Sequence, residues 1–119
     1  MKKFLLIGLI IIPVLLILAN ILPTQNAGVS VTVLMKKDSF DPETITIKKG
    51  TTVEFKNVDT LDKWPASNIH PTHTIYPEFD PLQPINPGSS WSFTFNKVGK
   101  WSDHDHLDPS IRGTIIVTE

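Results

Sequence analysis

The chain has 119 residues, 11 Lys+Arg against 12 Asp+Glu, ten Pro, no Cys and 40% apolar residues. The absence of Cys excludes disulfides, thiolate catalysis, thiolate zinc fingers and iron–sulfur clusters, and the near-neutral charge excludes a basic nucleic-acid footprint.

The first predicted element is Phe4–Leu22, an apolar run of 19 residues preceded by Lys2 and Lys3. As a helix it spans roughly 28 Å, enough to cross a bilayer. The basic pair ahead of it keeps the N-terminus in the cytoplasm and sends the rest of the chain across, so the expected location is extracytoplasmic, periplasmic or at the cell surface. Whether the run stays as a transmembrane anchor or is removed as a signal segment is open: Ala27 is the best cleavage candidate, and the Gln25 before it matches a cleavage site poorly. Residues 1–27 are thus read as an anchor or signal segment with a short linker, and residues 28–119 as one domain. That domain has nine basic and twelve acidic groups, a net charge of −3. At its size it buries only about 60–65% of its unfolded surface, enough for one core and no large substrate cavity.

From Val29 the apolar pattern alternates. Val29, Val31, Val33 and Met35 share one face, opposite Ser30, Thr32 and Leu34. Ile45 and Ile47 alternate with Thr44, Thr46 and Lys48, and Lys49-Gly50 then turns the chain into Val53 and Phe55, which predicts a hairpin. Trp91, Phe93 and Phe95 follow the turn Asn86-Pro87-Gly88 and are expected in the core, and Ile115 and Val117 follow Gly113. No window after residue 28 sustains helical spacing. The reading is all-β: an antiparallel β-sandwich with Greek-key connections.

Leu61–Pro87 breaks this rhythm and holds six of the ten prolines. A long irregular loop in a compact domain is usually functional, and proline stiffens it, so it can hold side chains in place at low entropy cost. Within it Trp64 is expected to pack over the end of the sandwich, Asn68 to satisfy loop backbone groups, and Tyr76, Glu78 and Asp80 to be solvated oxygen donors.

All four His fall in two close pairs, His70-Pro-Thr-His73 in this loop and His104-Asp-His106 before the last strand. Imidazole with carboxylate suits Cu(II), Zn(II), Ni(II) or Fe when the donors converge on one point. The candidate ligands are His70, His73, His104, Asp105 and His106, with Asp103 and Asp108 nearby. Parity limits the set. If the strand from Trp101 stays extended, Trp101, Asp103 and Asp105 face inward, and buried carboxylates there need a cation. If the strand ends near Ser102, a turn presents both His to the loop. The residue pattern leaves these alternatives open.

The succession Phe40-Asp-Pro, Ile45-Thr-Ile-Lys-Lys-Gly, Val53-x-Phe-x-Asn57, Pro87-Gly-x-x-Trp-Ser-Phe-x-Phe95, Gly99-Lys-Trp101 and Gly113-Thr-Ile-Ile-Val117 resembles the cupredoxin family of plastocyanin-like copper proteins across nearly all of residues 29–119. The resemblance implies that His73 takes the place of the first His ligand, and that Asp105, Asp108 and Ile111 stand where Cys, His and Met ligands would be. It therefore implies a relative lacking the ligand Cys, with no blue type 1 site, in which hard N and O donors favour Cu(II) over Cu(I). A Cys-less group with a Trp-Pro-Ala-Ser-Asn loop and a His-Asp-His turn is matched at Trp64–Asn68 and His104–His106, with Lys63 where such relatives often place a further His. The expected function is an extracytoplasmic cupredoxin-like domain binding copper(II), or zinc as second choice, without enzymatic activity. Its partners are a metal ion and the membrane, not nucleic acid. The competing reading is a metal-free structural or interaction module of the same fold. An enzyme is disfavoured because the only Glu after His-Asp-His is Glu119, where a cupin needs one a few residues on, and because no Gly-x-Ser-x-Gly elbow is present.

Overall fold

The computed structural model describes residues 30–119, so the expected Phe4–Leu22 segment and Val29 lie outside the described residues. Among the described residues no helix is long and apolar enough to cross a membrane. Eight strands form two four-stranded sheets: β1 Val31–Met35, β2 Phe40–Asp41, β3 Thr44–Lys48, β4 Thr51–Asn57, β5 Pro65–Ser67, β6 Ser90–Phe95, β7 Gly99–Asp105 and β8 Asp108–Thr118. One sheet has the order β2-β1-β4-β6 and the other β3-β8-β7-β5.

The alternation seen in the sequence selects the faces. Val33 and Met35 of β1, Ile45 and Ile47 of β3, Val53 and Phe55 of β4, and Ile115 and Val117 of β8 point between the sheets and are buried. Of the three expected aromatics Phe95 is buried, while Trp91 and Phe93 lie half-buried against the same core.

The pairing corrects the expectation of a purely antiparallel sandwich. Strands β1 and β4 run parallel, as do β3 and β8. The expected hairpin between β3 and β4 is instead a crossing from one sheet to the other. Lys49 N donates to Thr118 O of β8 while Gly50 N donates to Phe95 O of β6. Gly50 makes the corner at φ 87°, a left-handed conformation that glycine adopts without steric cost. Period-2 alternation dictates which face a strand buries and is silent about its neighbour.

The Pro-rich segment is more ordered than its composition suggests. It contains β5, whose first residue is Pro65, where a missing N–H costs the ladder least. Strand β5 pairs antiparallel with β7 and ties the loop to the strand that carries His104. Phe79 drives the middle of the loop into the core, fully buried, 5.0 Å edge-on to Phe95 and stacked on Trp91 and Phe93. Tyr76, expected at the surface, is also buried, because its ring packs edge-on against Phe93, Phe95 and Trp101.

Candidate metal centre

At one end of the sandwich the loop meets the end of β7. Ser67, fully buried, braces the loop: its Oγ contacts His73 O at 2.9 Å and Tyr76 O at 2.8 Å, and its backbone N donates to Phe79 O. His73 N donates back to Ile69 O, closing a tight turn in which His73 takes φ 56°. A non-glycine residue in that region carries a cost of about 1–3 kcal/mol, held here by the surrounding hydrogen bonds.

Strand β7 extends through Asp105, and its alternation sorts the side chains. Asp103 and Asp105 point inward and are fully buried, while His104 lies on the other face beneath the loop. Between His104 and Asp105 the partner on β8 jumps from Arg112 to Asp108, so Pro109, Ser110 and Ile111 form a bulge. Beyond it, His106 N donates to Trp64 O at 2.7 Å, which holds His106 over the same end as His104. The extended reading is the one realised: the strand runs on through Asp105 rather than ending near Ser102, and His104 and His106 both face the loop.

The four imidazoles converge. One ring nitrogen from each of His70, His73, His104 and His106 lies within 4.8 Å of the others. The shortest approaches are His70 Nδ1 to His104 Nε2 at 3.2 Å and His73 Nε2 to His106 Nδ1 at 3.1 Å. Four ring-centroid separations, each joining a loop His to a strand-end His, fall at 4.9 to 5.1 Å. The remaining two, His70–His73 and His104–His106, are 6.4 and 6.5 Å. The rings therefore form a puckered square in which each sequence-local pair spans a diagonal.

Two of the rings are oriented from behind. His73 Nδ1 lies 2.7 Å from Asp80 Oδ2, so Nδ1 carries the proton and Nε2 turns its lone pair to the cluster. His104 Nδ1 lies 2.7 Å from Asn68 Oδ1, with the same consequence for its Nε2. Asn68 thus serves His104 with its side-chain oxygen, contrary to the expectation that it satisfies loop backbone groups. Asp80 also accepts from Trp64 Nε1 at 2.8 Å, and the Trp64 indole lies over His106 at 4.6 Å as the expected lid. Desolvation raises the Asp80 pKa, but the hydrogen bonds from His73, Leu82 N and Trp64 outweigh it, so its carboxyl stays below the usual value. Burial, followed by the charges of His73, His70, His106 and Arg112, pushes His104 down to about 4. Burial first, then His73 and His70, lowers His106. At neutral pH these two rings are unprotonated, as ligation requires.

Asp105, expected among the donors, turns away from the cluster. Its Oδ1 accepts from Trp64 N and Leu107 N, and its Oδ2 lies 3.6 Å from Lys63 Nζ. Burial raises its pKa against those hydrogen bonds and the lysine. Parity is the reason: adjacent positions of an extended strand cannot line one pocket. Lys63 is itself buried and also meets Asp59 Oδ2 at 3.2 Å and Lys37 O at 3.1 Å. It is the internal counter-charge for two carboxylates rather than a lost ligand position. Asp108 caps the bulge through Ser110, and Ile111 is buried in the core. Asp80 and Asn68 as ring partners were not legible in sequence, although an acceptor behind each ligand His is a general requirement of metal sites.

The sequence profile of the cupredoxin-like domain matches residues 8–117. Among solved structures, the copper-containing nitrite reductase of Thermus scotoductus is 28% identical with a TM-score of 0.63, over 76% of this chain and 22% of that one. The chain thus spans under a quarter of that enzyme. A purple cupredoxin from Nitrosopumilus maritimus is 20% identical with a TM-score of 0.65, over 74% of this chain and 99% of that one. An amicyanin variant in its reduced state is 19% identical with a TM-score of 0.65, over 75% and 82% of the two chains. No curated protein sequence matches the chain.

Proposed function

The chain belongs to the cupredoxin-like domain family, and we propose that within it this domain binds a transition metal, copper(II) before zinc, through His70, His73, His104 and His106. The observation that carries the reading is the shape of the imidazole square. Rings at the corners of a regular tetrahedron would be equally spaced, and a flat square with sides of about 5 Å would have diagonals of about 7 Å. The measured diagonals of 6.4 and 6.5 Å against sides of 4.9 to 5.1 Å lie nearer the square. A flattened all-nitrogen donor set suits Cu(II), whereas tetrahedral Zn(II) favours six equal separations.

The donor chemistry fits a metal in other respects. The rings of His104 and His106 stay neutral at physiological pH, and Asp80 and Asn68 fix two tautomers with lone pairs inward. No thiolate is present to stabilise Cu(I), so the proposed role is metal binding rather than blue-copper electron transfer, and no enzymatic step is assigned. Lys2 and Lys3 ahead of Phe4–Leu22 support a site outside the cytoplasm, tethered or exported.

Titration of purified protein with Cu(II) and Zn(II), followed by EPR and competition with a chelator, tests the reading. One Cu(II) per chain with nitrogen hyperfine structure is expected, held more tightly than Zn(II) and lost when all four His become Ala. A spectrum unchanged in that quadruple variant, or no protein-bound copper, leaves the metal-free module as the better reading.

A further inference from the structure

Beside the imidazole square lies a cavity of about 260 Å³ lined by Asn68, Ile69, His70, His104, Pro109 and Arg112. Arg112 is the only arginine in the chain. It sits opposite His104 across the β7–β8 ladder, at the lip of the Pro109–Ile111 bulge, with its side chain exposed. Among the described residues no carboxylate lies within ion-pair distance of its guanidinium, and its one hydrogen bond is a long one, from Nε to Pro109 O at 3.5 Å. What singles Arg112 out is its place: it is the cation lining the cavity, beside two rings of the imidazole square. On the opposite wall, His70 is exposed, and the two rings reaching the cavity belong to the metal square.

We propose that this cavity is a binding site for a small monovalent anion, gripped by the Arg112 guanidinium and seated against His70 and His104. The inference rests on the metal reading for its second attraction. Imidazole ligands bring no negative charge to a divalent ion, and the carboxylate bonded to the square, Asp80, lies behind His73 rather than in the cavity. An anion there would meet two positive centres, and a guanidinium supplies directed donors as well as charge.

The test uses the full-length protein in detergent, with copper stoichiometry established first by metal analysis and EPR, and azide as the probe. Azide is expected to produce a saturable change in the Cu(II) EPR spectrum together with a new charge-transfer absorption. R112Q is expected to weaken azide about tenfold, the worth of one charge-assisted hydrogen bond, while leaving copper stoichiometry unchanged. K49Q, which removes the same charge at the β3–β4 corner, is expected to leave azide affinity unchanged. An EPR spectrum insensitive to azide, copper stripped from the protein, or equal affinities in R112Q and the parent overturn the proposal while leaving the metal reading intact. If no copper binds, the metal reading fails separately, and azide titration of the metal-free protein decides the anion site. Arg112-dependent shifts of the His70 and His104 ring-proton resonances sustain it, and their absence overturns it.

Discussion

Asp103 gives the sharpest quantitative test of the fold around the site. Its carboxyl is fully buried, its Oδ1 has no hydrogen-bond partner, and a Cβ on Gly113 across the ladder would fall 2.8 Å from that oxygen. Burial, opposed only by its own backbone N–H, raises its pKa from 3.8 to about 8. An acid raised on folding contributes fully below its unfolded pKa of 3.8 and loses that contribution as pH climbs to about 8. At about 1.36 kcal/mol per pH unit the whole limb is on the order of 6 kcal/mol, a large share of a small domain's stability. His104 acts in the opposite sense: a base depressed from 6.5 to about 4 contributes fully above 6.5 and loses stability as pH falls. That limb is worth on the order of 3 kcal/mol. Between pH 4 and 6.5 these two slopes cancel, and of the two only the Asp103 limb acts above 6.5. Stability of the metal-free protein should therefore fall by about 2 kcal/mol between pH 6.5 and 8 through Asp103 alone. Asp103→Asn removes this limb, and subtracting its urea unfolding curve from the parent's at each pH cancels every other titrating group. The difference should grow in the variant's favour by about 1.4 kcal/mol per unit across the window. Parallel pH profiles for the two proteins would refute the assignment of Asp103 as an uncompensated buried acid.

Three further outcomes are expected from the same contacts. Asp80→Asn removes the charged acceptor behind His73 and should weaken Cu(II) binding by about 10–100-fold in a chelator competition, with one copper still bound at saturation. Lys63→Met strands Asp59 and Asp105 without their shared cation and should destabilise the domain by about 3–5 kcal/mol in urea, while the copper EPR spectrum of the folded fraction stays unchanged because neither carboxylate reaches the imidazoles. Phe79→Ala should cost about 3–5 kcal/mol through the core cavity it leaves, and, because Phe79 adjoins Asp80, copper affinity should fall with it.

What the sequence disclosed and what it hid divide along a physical line. Alternation reports which face of a strand is buried, so Val33, Ile47, Phe55 and Val117 were legible as core. Neighbour choice depends on contacts across tens of residues, so the parallel β1–β4 and β3–β8 pairs were not. The loop shows the same division. Its prolines announced rigidity, yet Phe79 and Tyr76 read as single aromatics among polar residues, and only the tertiary fold shows them as the anchors that pin His73. Asn68 and His104 are 36 residues apart in sequence and 2.7 Å apart in space, a pairing no local pattern encodes.

Parity ties these levels together. Because Asp103 and Asp105 take the inward face of β7, His104 must take the outward one, where nothing but the loop can cover it. Each diagonal of the imidazole square lies within one segment and each side joins the loop to the strand end. A metal at its centre would therefore be bonded across the seam four ways, and its binding energy would oppose separation of the loop from β7. The inward carboxylates work against the fold on the other face: Asp105 is compensated by Lys63 and Asp103 by nothing charged. If the imidazole square holds a metal, the strand that presents it would be clamped from outside, and metal loading should matter most to the fold at the alkaline pH where Asp103 ionises.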